Sequence, residues 1–251
     1  MDKVVEAMAA QQDELTSLVA PLDEDGWSTP SRCEGWTVAD VVLHLAQTNA
    51  MAVASVQGRF DEVVAELTAG TAPAASVDEG AARMVERERG LPSGELLERW
   101  RRSAAELVDE LGRCDPHRRL VWVAGDLSAR TLATTRLAEV WIHTGDVAVP
   151  LGHEVVADDR LWHIARLAWR MLPYAFARAG RGLSGPVAFE LEAPNGDTWV
   201  FAPEEQAVTV VRGPALDLCT VAGQRADAAD TELRGDGPDA EAVLGLVRTF
   251  A

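Results

Sequence analysis

The sequence predicts an α+β protein, an N-terminal bundle of long helices followed by a small domain of strands and helices. Two observations carry this reading. Over the first two-thirds of the chain, apolar residues recur at the spacing of about 3.6 that one face of a helix presents. After Gly180 the pattern turns to alternation, with Asn195–Gly196 joining two alternating runs, a strong short-range hairpin signal. That change places a boundary near 180–185 and divides the chain into domains 1–180 and 181–251.

Residues 2–22 place Val5, Met8, Leu15, Leu18 and Val19 at helical spacing and stop at Pro21. A turn-rich connector, DEDGWSTPSRCEGW, follows. Thr37 then caps a second helix, with Asp40 in the capping-box position. This helix, VADVVLHLAQTNAMAVASV, is apolar almost all round and is expected to be buried. Residues 58–76 read as a helix end and a connector. A third helical stretch covers 77–111, broken at GLPSG, with Leu97, Trp100, Ala104, Leu107 and Leu111 on one face. The fourth helix spans 131–144 and is expected to end at Gly145 as C-cap. A fifth covers 158–179, where Pro173 is expected to kink or divide it. Beyond the boundary, GPVAFELEAP, DTWVFAP and QAVTVVRG read as strands, and PALDLCTVAGQ and DAEAVLGLVRTFA as helices.

Bulk properties exclude several function classes. The chain of 251 residues carries 40 acidic against 23 basic side chains, a net charge of -17, which disfavours binding to nucleic-acid phosphates. No stretch approaches the roughly 20 apolar residues of a membrane span. The polar N-terminus lacks the pattern of a secretory signal, so a cytoplasmic location is expected. Cys33, Cys114 and Cys219 are widely spaced and form no CxxC, which argues against a disulfide framework or a structural zinc site. Cys33 reads as a half-buried bystander, with a nucleophile as the alternative. GxSxG, P-loop and dinucleotide fingerprints are absent.

The chemistry concentrates on the fourth helix. At about 100° per residue, Arg136, Glu139, His143 and Asp146 fall within an arc of roughly 80°. Glu139 and His143, four apart, can offer a carboxylate oxygen and an imidazole nitrogen to one metal ion. Arg136 and Asp146 lie one step outside, where each could pair with substrate or orient a ligand. A polar stripe is also the ordinary form of a solvated helix face. His44, set among valines and leucines on the second helix, is either a satisfied core histidine or a third ligand. A buried polar stripe needs partners, and facing helices of a bundle supply them. Three protein ligands would leave an open position, the mark of a catalytic metal. His117, His153 and His163 are weaker candidates.

Two segments, GWSTPSRCEGWTVADVVLHLAQ and TRLAEVWIHTGDVAVPLG, together resemble the mycothiol-dependent maleylpyruvate isomerase family. The resemblance implies a DinB-like metal-binding four-helix bundle over about residues 1–180. The tail, with VTVVRGPALDLCTVAGQR, is similar to that family's sterol-carrier-like α+β domain. Carried over residue by residue, the resemblance implies Zn2+ on His44, Glu139 and His143, although Fe2+ or Ni2+ also suits two histidines and a carboxylate. It further implies mycothiol, a low-molecular-weight thiol, as cofactor or co-substrate for isomerisation of, or S-transfer to, a small electrophile. Arg136, by geometry, and Arg83, from the third helical stretch, are the candidates for holding a substrate carboxylate. A thiol-independent hydrolase or oxygenase and a non-catalytic metal- or ligand-binding protein are the alternatives.

Overall fold

The computed structural model describes residues 1–123 and 125–249. They form two compact units, Met1–Val155 and Val156–Ala251. The first unit contains α1 (Asp2–Val19), α2 (Glu24–Trp27), α3 (Val38–Gln57), α4 (Phe60–Leu67), α5 (Val77–Glu88), α6 (Ser93–Arg113), β1 (Arg119–Leu120), β2 (Leu127–Ser128) and α7 (Ala129–Ala148). α3 packs on α6 and α7, and α1 packs on the same two helices, which closes a four-helix ring. The short antiparallel pair β1–β2 leads into α7.

α3 is the second helix of the sequence reading and α7 the fourth. Thr37 caps α3 as expected: its side chain accepts from the Asp40 N–H, and the Asp40 carboxylate accepts from the Thr37 N–H. Seventeen of the 20 residues of α3 are buried, which makes it the central helix. Val38, Val41, Val42 and Leu45 pack with Leu15, Trp100, Val140 and Val147 in one core. Each such side chain contributes about 1.5–3 kcal/mol on leaving water, so this core fixes the rotation of α3 against α7.

The second unit contains α8 (Leu161–Arg178), β3 (Val187–Glu192), β4 (Thr198–Phe201), β5 (Thr209–Pro214), α9 (Ala215–Ala222), a single 3-10 turn, β6 (Arg234–Asp236) and α10 (Ala240–Leu246). Its sheet has the order β4-β3-β5-β6. β3 and β4 form the expected hairpin, with Gly196 at φ 84° in the turn. β3 and β5 run parallel, and β6 joins β5 antiparallel.

Four expectations are corrected. The division falls after Val155 and not near residue 180, because α8 packs on α9, α10 and β4. Gly145 does not cap α7, which continues to Ala148; a Cβ there would lie 3.3 Å from Val155 Cγ2, so close packing is a reason for the glycine. α8 runs unbroken through Pro173, held by the buried Leu172, Ala175 and Phe176 on its flanks. Residues 60–67, expected within a helix end and connector, form a separate helix, α4.

Candidate metal centre

His44 projects from the middle of α3, and Glu139 and His143 from successive turns of α7. His44 Nε2 lies 2.9 Å from Glu139 Oε1. The two imidazole rings stand edge to face with centroids 5.1 Å apart. One donor atom from each of the three residues lies within 4.8 Å of the other two. The site is nearly closed to water: His44 is 6% and His143 8% exposed. Trp36, from the loop before α3, lies against His44 with ring centroids 5.2 Å apart and the planes tilted by 51°.

Two of the three residues are held by a further side chain. Asp146 Oδ2 lies 3.0 Å from His143 Nδ1, which directs the ring's proton to that side and leaves Nε2 as a lone-pair donor. Arg136 is fully buried; its Nη1 lies 3.6 Å from Glu139 Oε1, and its Nη2 donates to Asn49 Oδ1 at 3.1 Å. Burial acts to raise the Glu139 carboxyl. The Arg136 charge and then the hydrogen bond of His44 outweigh it, and hold the group well below the ordinary carboxylate range. Burial lowers His44 despite the opposing pull of Glu139, so this imidazole is neutral at pH 7. A neutral imidazole and an ionised carboxylate are the forms in which these groups bind metals.

The structure thus brings together His44, Glu139 and His143, with Asp146 beside them. Arg136 is placed differently from the expectation: it is sealed in the bundle, and the carboxylate it holds is that of Glu139. Arg83 is not brought to the site. Its guanidinium donates to the carbonyls of Ala72 and Pro73 and to Glu79, which ties α5 to the preceding connector. A half-open cavity of about 420 Å³ at the start of α3, lined by Trp27, Asp40 and Arg89 among others, includes none of His44, Glu139 and His143.

Cys33, expected as a bystander, lies in the site. Its Sγ donates to Asp146 Oδ2 at 3.2 Å and lies 3.6 Å from His143 Nδ1. The loop is fixed there by backbone bonds, Arg32 N–H to Asp146 O, Ser31 N–H to Trp36 O and Trp36 N–H to Cys33 O. The available signal was its place in Cys-x-Gly-Trp, directly before the helix that carries His44. Asn49 was also missed; it stands out only once Arg136 is seen to need an acceptor.

Two imidazoles and one carboxylate with donor atoms within 4.8 Å of one another fit a divalent ion such as zinc, for which three protein donors are one short of tetrahedral coordination. The family model described as mycothiol maleylpyruvate isomerase N-terminal domain matches residues 8–148. Two uncharacterized proteins of Mycobacterium tuberculosis, from strains CDC 1551 / Oshkosh and ATCC 25618 / H37Rv, are each 34% identical over 247 residues, covering 97% of this chain and 93% of theirs. Among solved structures, mycothiol-dependent maleylpyruvate isomerase shares the fold with TM-score 0.62 at 19% identity, over 93% of this chain and 92% of that one. A histidine-to-alanine mutant of that enzyme gives TM-score 0.61 at 18% identity, over 95% of both chains. No described helix is long and apolar enough to cross a membrane.

Proposed function

The chain belongs to the mycothiol maleylpyruvate isomerase N-terminal domain family, and from that membership we propose that it is a metal-dependent enzyme in which a low-molecular-weight thiol, mycothiol, reacts with a small electrophile. The reaction is isomerisation of that electrophile or transfer of the thiol sulfur to it. The observation that carries the proposal is the convergence of His44, Glu139 and His143 donors within 4.8 Å inside the bundle. These three residues would hold the metal, and zinc is the ion we expect. When bound, zinc lowers the pKa of a thiol and so supplies a thiolate nucleophile at neutral pH.

The chain's own residues prepare that chemistry. Asp146 holds His143 by Nδ1 and keeps its Nε2 lone pair turned away from itself, toward the ligand side. Arg136 keeps Glu139 ionised and in place, and Asn49 keeps Arg136 from turning away. Trp36 covers one side of His44 and excludes water from it. Arg136 is accordingly a positioning residue in this proposal.

Purified protein should contain about one zinc per chain by elemental analysis, as a three-ligand site requires. His44→Ala and His143→Ala should each lose it while keeping the helical circular dichroism of the parent. Unchanged metal content in both variants would overturn the site. Turnover of electrophilic substrates should require mycothiol; thiol-independent turnover would instead favour a hydrolase or oxygenase built on the same ligands.

A further inference from the structure

We propose that Cys33, Asp146 and His143 form a second metal position for a soft divalent cation such as Zn2+ or Cd2+, one that shares His143 with the His44–Glu139–His143 centre of the proposed function. One donor atom from each of Cys33, His143 and Asp146 lies within 4.8 Å of the others. The three edges of this triangle are 3.6 Å (Sγ to Nδ1), 3.2 Å (Sγ to Oδ2) and 3.0 Å (Nδ1 to Oδ2). Tetrahedral Zn2+, with bonds of about 2.3 Å to sulfur and about 2.0–2.2 Å to nitrogen and oxygen, needs edges of about 3.4–3.6 Å. The first edge already has that length, and the other two need to open by about 0.4 Å.

The donor set is thiolate, carboxylate and imidazole, the combination that selects thiophilic cations over Mg2+ or Ca2+. Its members are held in place without the ion. Arg32 N–H on Asp146 O clamps the Cys33 loop to α7, and Asp146 is fully buried on that helix. Cys33 is half-buried, so it provides the approach from solvent.

Binding releases the Cys33 thiol proton to solvent and forms a metal–sulfur bond. Both positions draw on His143, so they compete for one side chain.

The test is a titration of the full-length, metal-stripped protein with Cd2+, read by the ultraviolet sulfur-to-cadmium absorption band. Wild type, Cys114→Ser and His44→Ala should all show the band. Cys33→Ser should lack it while keeping the helical circular dichroism of the parent. In wild type, Cd2+ should also slow alkylation of Cys33 by about tenfold or more while sparing Cys114, measured by mass spectrometry. A band that persists in Cys33→Ser, or alkylation of Cys33 unaffected by saturating Cd2+, would overturn the proposal. Loss of the zinc centre alone would not, since the band in His44→Ala is independent of it.

Discussion

Replacing Arg136 by methionine tests how the site is held together. The guanidinium is fully buried and lies 3.6 Å from Glu139 Oε1. At an effective dielectric of about 20, that separation corresponds to an attraction of about 5 kcal/mol. Removing one partner of a buried ion pair costs about 3–5 kcal/mol, because the other charge is left without compensation. Asn49 Oδ1 also loses its donor. For a chain of this size, each kcal/mol shifts Tm by about 2–4 °C. The metal-free variant should therefore melt roughly 10 °C below metal-free wild type. With zinc bound, the cation itself compensates Glu139, so the deficit should shrink to about half. Differential scanning calorimetry of chelated and zinc-loaded samples measures both differences. Equal deficits in the two states would refute the idea that Arg136 and the metal share Glu139 as a common counter-ion. A metal-free deficit under about 2 °C would refute the strength assigned to the pair.

Other expectations follow from the same geometry. Asp146→Asn preserves shape but weakens the hold on His143 Nδ1, and should lower zinc affinity about 10–100-fold in competition with a chelating dye; unchanged affinity would remove Asp146 from the site. His44 has a folded-state pKa below its ordinary 6.5, so the unfolded chain takes up the proton first. Its contribution to stability is complete above that value and is lost as pH falls through the folded value. Metal-free protein should accordingly show urea midpoints that decline below about pH 6.5, and His44→Leu should flatten the decline; a steeper decline in the variant would contradict the assignment. Arg83→Gln should leave zinc content and thiol-dependent turnover unchanged, because its bonds go to Ala72, Pro73 and Glu79. A large fall in kcat would return Arg83 to the site.

Local pattern made a large part of this protein legible. The Thr37–Asp40 box, the apolar face of α6 and the Asn195–Gly196 turn depend on residues a few positions apart, and each appears in the structure. The alignment of Glu139 with His143 is of the same kind, since one helical turn relates them. Where packing competes with local preference, the reading failed. Gly145 has the composition of a cap but serves close approach to Val155. Pro173 has the composition of a break but lies in a helix whose flanking side chains are buried. Alternation marked the strands without fixing their order, and so left the parallel β3–β5 pairing and β6 unseen.

What the sequence determined by itself was the bundle-then-sheet plan, the α7 stripe from Arg136 to Asp146 and, through family resemblance, the membership of His44. Only the tertiary structure decided which group each charged residue serves. It turned Arg136 from a substrate clamp into the buried counter-ion of Glu139, released Arg83 to a connector, and brought Cys33 onto Asp146. The physical reason is separation along the chain. His44 and Glu139 are 95 residues apart and Cys33 and Asp146 are 113 apart. Helical periodicity reports on neighbours within a turn or two, whereas these contacts exist only because the buried faces of α3 and α7 pack together and a backbone bond from Arg32 to Asp146 ties the preceding loop onto α7.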